Sequence, residues 1–251
     1  MKLQLLGTGN AAQVPVYNCS CPACQRARTD VSYRRGPCSA LFTCGEQHWL
    51  IDSGLPDLTE RFPPGRLSGI LQTHYHADHA QGLLHLRWGT NTRIRVLGPH
   101  DPDGFADLYR HPGILDFSHT LTPEETVSMG DFDIVPLALT HSKPTLGYLF
   151  SALGKRIAYL TDTVGLPAAT MARLQEDGLD LVVLDCSFPP AATTPRNHND
   201  VTCALDTLTA LNARQSVLTH IGHELDCWLM EPGNTLPADV LVGYDGAQYE
   251  T

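Results

Sequence analysis

Short apolar runs recur along the whole chain and are separated by residues typical of turns. Runs of this length, rich in leucine, isoleucine, valine and aromatic residues, predict β-strands. The predicted strands are residues 3–6, 39–43, 49–51, 70–72, 94–97, 134–139, 146–150, 157–160, 181–184 and 216–219. Apolar runs such as 179–184 end well before the roughly 18 residues that a membrane-spanning helix needs, so we expect no membrane association.

Stretches with helical spacing are fewer, and they are predicted at residues 78–85, 167–176 and 200–211. Pro167 begins the second, at a position where its missing N–H costs nothing, and Asn199 is expected to cap the third. Early strands in hairpin-like succession, followed by strands that alternate with helices, indicate an α/β fold with two sheets between helices. No repeat or linker divides the sequence, so residues 1–251 are predicted to form one domain. The irregular, proline-rich stretch 98–123 favours a lid or an edge insertion.

The strongest chemical signal is a cluster of three histidines and one aspartate directly after the predicted strand 70–72. Its members are His74, His76, Asp78 and His79. Buried histidines need hydrogen-bond partners, and neighbouring histidines repel one another when they are protonated. A metal cation removes both difficulties, because neutral imidazole and carboxylate are its natural ligands. The pattern therefore predicts a metal site where a strand ends and a helix begins, in preference to a polar surface loop.

This HxHxDH pattern resembles that of the metallo-β-lactamase superfamily, especially its phosphodiesterase and nuclease branch. The resemblance runs along the chain and implies the αββα sandwich of that superfamily, with two mixed β-sheets flanked by helices. Residues 50–54 match the strand whose aspartate, Asp52, braces the metal loop without binding metal. Three further residues match the remaining ligands, each just after a β-rich run: His141, Asp162 and His220.

The resemblance implies a dinuclear centre that holds two Mn²⁺ or Zn²⁺ ions. One ion is expected to be held by His74, His76 and His141. The other is expected to be held by Asp78, His79 and His220. Asp162 is expected to bridge the two ions. No cysteine occupies a ligand position, which argues against the branch that hydrolyses lactams.

Three of the eight cysteines lie close together, at Cys19, Cys21 and Cys24. In a chain of this size without a recognisable secretion signal, we expect a cytoplasmic protein whose clustered thiolates bind metal instead of forming disulfides. Three thiolates are one ligand short of a closed tetrahedral zinc site. The dispersed cysteines are expected to be small buried apolar residues: Cys38, Cys44, Cys186, Cys203 and Cys227.

Within the superfamily, the chain closely resembles the cyclic phosphate phosphodiesterases of the carbon–phosphorus lyase pathway. The shared features are the CxCxxC pattern, a His-x-x-His pair that ends at His223, and the segment 111–119. The resemblance implies that His223 completes a structural Zn²⁺ site with the three clustered cysteines. It also implies that His198 is the general acid, a role that the pKa of histidine suits at neutral pH. Asp78 is expected to be the second catalytic residue.

The same resemblance implies hydrolysis of 5-phosphoribosyl 1,2-cyclic phosphate to ribose 1,5-bisphosphate in phosphonate catabolism, by a homodimer. The net charge is −10, and the arginines and lysines are scattered instead of forming a stripe. Proteins that bind nucleic acid usually carry a basic surface, so we expect a small anionic cyclic phosphate sugar and no nucleic acid. The candidates for holding the substrate's 5-phosphate are Arg34, Arg35, Lys143 and Arg196.

Other functions are compatible with parts of the sequence. A tRNA 3′-processing endonuclease or a general cyclic nucleotide phosphodiesterase of the same superfamily shares the metal motif, but the nuclease needs a basic surface for RNA. A non-catalytic zinc-binding scaffold needs only four ligands, whereas the main pattern supplies seven.

Overall fold

The computed structural model describes residues 1–193 and 195–251, and this part of the chain forms two seven-stranded sheets flanked by helices. The predicted α/β sandwich is therefore confirmed. The first sheet contains, in spatial order, β14 (Gln248–Glu250), β1 (Lys2–Gly7), β2 (Ser39–Cys44), β3 (Gln47–Ile51), β4 (Gly69–Leu71), β5 (Ile94–Leu97) and β6 (Leu115–Asp116). Strands β1 to β3 are antiparallel, and β3 to β6 are parallel. The carboxyl ends of β3 and β4 consequently lie at the same edge.

The second sheet repeats this arrangement. It contains, in spatial order, β13 (Val240–Val242), β12 (Ser216–Thr219), β11 (Leu181–Asp185), β10 (Lys155–Leu160), β9 (Leu146–Ala152), β8 (Asp133–Ala138) and β7 (Val127–Ser128). Strands β10 to β13 are parallel, so four neighbouring strands end at one edge of this sheet too. All of the predicted strands overlap strands of the structure, whereas the short strands β6, β7, β13 and β14 were not predicted.

Aromatic side chains fill the space between the two sheets. The rings of Phe42 on β2 and Phe150 on β9 stack with their centroids 4.0 Å apart. Tyr148 on β9 is completely buried, and its hydroxyl donates a 2.6 Å hydrogen bond to the carbonyl of Gln72, next to the metal motif. Burial of large apolar surfaces is the main source of stability, and here it also fixes the second sheet against the loop that follows β4.

The helices lie on the outer faces of the sheets. They are α1 (Pro22–Thr29), α2 (Leu58–Arg61), α3 (Ala77–Ala80), α4 (Leu83–Leu86), α5 (Ala106–Arg110), α6 (Ala168–Gln175), α7 (Val201–Leu211) and α8 (His223–Met230). Among the described residues, none of these helices combines the length and apolar character that a membrane crossing requires. Stretch 98–123 contains α5 and the edge strand β6, so it is an edge insertion.

Two predictions about helices were wrong. The predicted helix 78–85 is divided into α3 and α4, because Gly82 packs against the backbone after β3. The N–H of Gly82 bonds to the carbonyl of Ser53 at 2.8 Å. A Cβ added to Gly82 would lie 2.3 Å from the carbonyl oxygen of Leu55. The cap of α7 is Asp200, whose carboxylate accepts the N–H of Cys203 at 2.8 Å. Asn199, the predicted cap, instead bonds to neighbouring loops.

A buried ion pair holds α8 against the N-terminal half of the chain. Arg35 makes a two-pronged contact with Asp226 on α8, with distances of 2.8 and 2.9 Å, and the two side chains are only 10% and 4% exposed. Arg35 also donates to Thr8 at 2.9 Å and to the carbonyl of Gly243 at 2.6 Å. The guanidinium therefore joins three segments that surround the start of α8. These contacts use four of the five N–H donors of Arg35. Its suggested role in binding the substrate 5-phosphate stays a prediction.

Replacing Asp226 with alanine should lower the free energy of unfolding by about 3–5 kcal/mol, because it leaves a buried guanidinium without its counter-charge. Urea titration of the unaltered protein and of the Asp226 variant measures the difference in the free energy of unfolding. The exposed pair between Arg61 and Asp57, also 2.8 Å apart, supplies the control. Asp57→Ala should cost about 0–1 kcal/mol. Equal losses in the two variants would contradict the importance assigned to the buried pair.

Candidate metal centre

The predicted ligands meet where the carboxyl ends of the two sheets face each other. His74, His76, Asp78 and His79 follow β4, and the remaining three follow β8, β10 and β12. Asp162 and His220 adopt left-handed backbone, with φ of 61° and 60°, and so does the bracing residue Asp52, with φ of 60°. This conformation costs a non-glycine residue energy, and residues strained in this way are often found at functional sites.

Three histidines converge on one point. Nε2 of His74 lies 2.8 Å from Nδ1 of His76, and Nε2 of His141 lies 3.1 Å from the same atom. Nitrogen atoms bound to one tetrahedral zinc ion stand roughly 3.3 Å apart. The three atoms therefore lie close enough together to bind a single cation after a small outward shift.

A second group forms next to the first. Nε2 of His79 lies 3.4 Å from Oδ2 of Asp78, and Nε2 of His220 lies 3.9 Å from the same oxygen. Asp162 stands between the groups: its Oδ1 lies 3.2 Å from His79, and its Oδ2 lies 3.7 Å from His74. The structure thus brings together all seven residues that the sequence suggested as ligands, with one carboxylate oxygen of Asp162 directed to each group.

Asp52 fixes the first ligand loop from behind. Its fully buried carboxylate accepts the backbone N–H of Thr73 at 2.8 Å and bonds to Nδ1 of His79 at 2.7 Å. The hydroxyl of Thr73 donates to Asp52 and lies 3.0 Å from Nδ1 of His74. Each of these bonds uses Nδ1, so the lone pair of His74 and of His79 is left on Nε2, the atom that faces the cluster.

The ligands from the second sheet are oriented in the same way. Nδ1 of His141 bonds to the backbone carbonyl of Asn197 at 3.1 Å. Nδ1 of His220 lies 2.8 Å from the hydroxyl of Ser187. Ser187 and Thr73 were not identified from the sequence, because a single serine or threonine beside a histidine gives no pattern.

The electrostatics of the cluster also fit a bound cation. Among the described residues, Nε2 of His79 and of His220 are buried without a hydrogen-bond partner. Burial lowers the pKa of His74 well below its usual value, and the neighbouring His79 lowers it further. Burial raises the pKa of Asp162, but His220 and His79 outweigh that effect and hold it well below its usual range. Burial lowers the pKa of His79, but the charges of Asp162 and Asp52 outweigh that effect and raise it well above its usual value. Binding of a divalent metal, which requires neutral imidazole, therefore displaces a proton from His79.

Asp78 belongs to the same ionised set. Burial raises the pKa of its carboxyl, but hydrogen bonds from His220 and His79 outweigh this effect and hold the pKa well below its usual range. A carboxylate that stays ionised accepts a metal and cannot donate a proton at neutral pH. The geometry therefore places Asp78 with the ligands.

His198 lies beside the cluster, outside the two groups described above, and forms a further set of possible metal-binding residues with Asp162, Asp185 and His220. Its ring stacks on that of His220 with centroids 4.6 Å apart, and its Nδ1 bonds to the fully buried carboxylate of Asp185 at 2.8 Å. Burial lowers the pKa of His198, but the charge and hydrogen bond of Asp185 outweigh this effect and raise it to about 9. Asp185, the last residue of β11, also accepts the N–H of Asn199 at 3.2 Å. Asp185 was not identified from the sequence, although a carboxylate at the end of an apolar strand was a signal.

A second, smaller site lies where α1 meets α8. The thiols of Cys19 and Cys21 lie 3.5 and 3.4 Å from Nδ1 of His223, and the four donor atoms, with that of Cys24, are mutually within 4.8 Å. Nε2 of His223 lies 3.1 Å from the carboxylate of Glu224, which leaves Nδ1 free to bind metal. The Cys₃His set is that of a structural zinc site.

The remaining predicted residues have mixed outcomes. Cys38 and Cys186 are buried as expected, but Cys44, Cys203 and Cys227 are half-buried. Lys143 is paired with Asp101 at 3.0 Å, and Arg34 donates to the backbone carbonyl of Ala27 at 3.1 Å. Arg196 is exposed.

Comparison with known proteins identifies the family. An octanoyltransferase from Porphyromonas gingivalis is 26% identical over an alignment that covers 99% of this chain and 51% of that protein. A ribonuclease Z from Acaryochloris marina is 31% identical over 52% of this chain and 44% of that protein. The chain spans about half the length of these curated relatives.

The crystal structure of a diphosphatase from the PhnP family has the same fold, with a TM-score of 0.80 and 24% identity over 100% of this chain and 97% of that one. Residues 50–221 match the model of the β-lactamase superfamily domain. This region begins on β3 and ends just after β12, so it includes every residue of the seven-ligand cluster. The chain belongs to the metallo-β-lactamase superfamily.

Proposed function

We propose that this protein is a metal-dependent phosphodiesterase that hydrolyses 5-phosphoribosyl 1,2-cyclic phosphate to ribose 1,5-bisphosphate in phosphonate catabolism. The seven-ligand cluster holds two Mn²⁺ or Zn²⁺ ions, and the cysteine site holds one structural Zn²⁺. The protein works as a homodimer in the cytoplasm, where reducing conditions keep thiolates available for metal.

The observation that carries the proposal is the pair formed by His198 and Asp185. His198 stacks on the metal ligand His220, and its donor atom lies within 4.8 Å of those of Asp162, Asp185 and His220, so it is close enough to act on a substrate held at the metals. Its Nδ1 is occupied by Asp185, so Nε2 is the nitrogen that can exchange a proton with substrate. A histidine held by a carboxylate in this way is typical of general acid–base catalysis.

The metal pair and the side chains around it have separate roles in cleavage. When bound, the metal pair supplies positive charge for the phosphate oxygens and lowers the pKa of a water molecule towards neutrality. His198 holds a proton on Nε2 and delivers it to the 2-oxygen of the ribose as the bond from that oxygen to phosphorus breaks. Asp185 keeps the ring in this orientation and stabilises its charged form. The buried partners Asp52 and Ser187 keep the ligand histidines in the tautomer that binds metal.

Net charge supports a small substrate. At −10, the chain attracts a polyanion only where bound metal or single arginines provide local positive charge. A ribonuclease is nevertheless a specific second candidate, because a ribonuclease Z is among the relatives with the highest identity.

Turnover of three substrates by the manganese-loaded protein tests the proposal. The substrates are 5-phosphoribosyl 1,2-cyclic phosphate, a 2′,3′-cyclic nucleotide and a precursor tRNA. The proposal requires kcat/KM to be highest for the ribosyl cyclic phosphate. Faster cleavage of the precursor tRNA at its 3′ end would identify a processing nuclease, and the absence of turnover of any of the three would reject the phosphodiesterase.

Asp162→Asn should reduce the metal content of the seven-ligand site and the activity together. Asparagine preserves the shape of the side chain and tolerates left-handed backbone, so the change removes mainly the bridging charge. The loss in kcat/KM should exceed the roughly 10–100-fold typical of residues that only orient a metal ligand. Elemental analysis and kinetics measure both effects. The control, Asp103→Asn at an exposed aspartate, should change neither the metal content nor kcat/KM. If the Asp162 variant keeps both ions and most of its turnover, Asp162 is not a ligand.

His198→Ala should slow only those substrates whose leaving group needs a proton. General acid catalysis typically contributes about 10²–10⁴-fold, so cleavage of the ribosyl cyclic phosphate should fall by that factor while the metal content stays unchanged. Cleavage of a p-nitrophenyl phosphodiester should fall far less, because nitrophenolate leaves without protonation. Asp185→Asn should show the same selectivity in weaker form, since the proton donor remains but is less well held. Equal losses on both substrates would show that His198 positions the phosphate instead.

Cys21→Ser should remove one tightly bound zinc per chain and lower the thermal stability, because binding of a structural metal is coupled to folding. The metal pair should remain. Cys44→Ser, at a half-buried cysteine on β2, is the matched control and should keep all of the zinc. Unchanged zinc in the Cys21 variant would disprove the structural site.

A further inference from the structure

A cavity outside both metal sites lies where the end of α1 meets α8 and the segment after β13. Its volume is about 420 Å³. Small-molecule sites typically enclose about 300–1,000 Å³. None of the described residues that line this cavity belongs to the seven-ligand cluster or to the Cys₃His set. The cavity is therefore large enough for a small ligand of its own.

The charged groups that line this cavity are mostly positive. Arg26, Arg34 and Arg35 contribute guanidinium groups, whereas the carboxylate among the described lining residues is that of Asp226. Asp226 is already paired with Arg35 at 2.8 Å. Neither Arg26 nor Arg34 forms an ion pair within the described part of the chain. In a chain of net charge −10, two unpaired cations in one cavity provide local attraction for an anion.

Arg26 is fixed in position but makes no hydrogen bond. Its guanidinium carbon lies 3.9 Å from the centre of the ring of Tyr33, in the 3₁₀ helix that follows α1. A guanidinium stacked in this way still directs its N–H groups at other partners. Across the described residues, the N–H groups of Arg26 find no acceptor. The nearby carboxylate of Asp30 is occupied instead by Ser32, which donates its N–H at 2.9 Å and its hydroxyl at 2.7 Å.

Arg34 has a similar division between support and free donors. Its Nε donates to the backbone carbonyl of Ala27 on α1 at 3.1 Å, which holds the side chain in place. Both of its terminal nitrogens lack a partner in the part of the chain that the structure describes. Guanidinium groups whose terminal nitrogens are free are well suited to phosphate, because they donate two parallel hydrogen bonds.

Aromatic side chains supply the other part of the site. Tyr33 and Tyr244 both line the cavity and are 43% and 60% exposed. Arg35 donates to the carbonyl of Gly243 at 2.6 Å, so the buried ion pair also fixes the backbone that leads into Tyr244. Exposed aromatic rings next to free guanidinium groups suit a ligand that combines a flat ring with a phosphate.

We propose that this cavity binds a nucleoside monophosphate, with the phosphate on Arg26 and Arg34 and the base stacked against Tyr244. The supports of these side chains are in place before the ligand arrives, which reduces the entropy lost on binding. The site shares no described lining residue with the metal centre, so it is a second site and not part of the proposed catalysis.

Titration calorimetry on the metal-loaded full chain tests the proposal with AMP, adenosine and inorganic phosphate as probes. AMP should bind more tightly than either of its parts. Arg26→Ala should weaken AMP binding by about 10–100-fold, the loss expected for a charge-assisted hydrogen bond. Tyr244→Ala should weaken it by about 2–10-fold through lost stacking. Arg66→Ala, which removes an exposed arginine outside the cavity, is the control and should leave binding unchanged.

The position of the bound nucleotide needs its own measurement, because a metal pair also attracts phosphate. Irradiation of the protein with 8-azido-AMP should label a peptide that contains Tyr33 or Tyr244, and peptide mapping identifies it. The Tyr244 variant removes an exposed side chain, so it tests the site even if the Arg26 variant does not fold. Neither substitution should alter kcat/KM for a p-nitrophenyl phosphodiester.

Two results would overturn the proposal. One is AMP affinity that is the same in the unaltered protein, Arg26→Ala and Tyr244→Ala. The other is labelling confined to peptides of the metal centre. Failure of the proposed function would look different: the ribosyl cyclic phosphate would not be cleaved, while AMP binding, which is measured without turnover, would still depend on Arg26 and Tyr244.

Discussion

The buried carboxylate of Asp52 is the constraint on which the metal centre depends. A fully buried charge is tolerated only where hydrogen bonds or counter-charges compensate it, and the donors for Asp52 come from a single loop, at Gln72, Thr73 and His79. The loop after β4 therefore has little freedom once β3 and β4 pair. The same bonds that compensate Asp52 point Nε2 of His79 into the ligand cluster, so one set of contacts both stabilises the fold and orients a ligand.

Asp185 plays the corresponding part in the second sheet, but for a different kind of residue. Asp52 orients a histidine that faces the metals, whereas Asp185 orients His198, which lies outside both ligand groups. Each carboxylate lies at the carboxyl end of a strand, behind the histidine that it holds. The two sheets thus supply matching supports, one for a histidine of the ligand cluster and one for the histidine beside it.

Sequence alone predicted the features that are local. The HxHxDH cluster lies within one loop, and the interior strands are continuous apolar runs. The edge strands β13 and β14 escaped prediction because few of their side chains are buried. The pairing of Arg35 with Asp226 could not be predicted, because it depends on how α8 packs against a segment 191 residues away. The role of Asp185 could not be recognised from the sequence, because it depends on the contact with His198 that the fold creates.

The left-handed backbone at Asp52, Asp162 and His220 has an evolutionary consequence. Such a conformation costs an L-residue about 1–2 kcal/mol and costs glycine almost nothing. At these three strand ends, selection for stability favours glycine, and selection for metal chemistry opposes it. Lineages that keep the sandwich but abandon the reaction should drift towards glycine at these positions. Their sequences would then record the loss of catalysis even where the rest of the fold is unchanged.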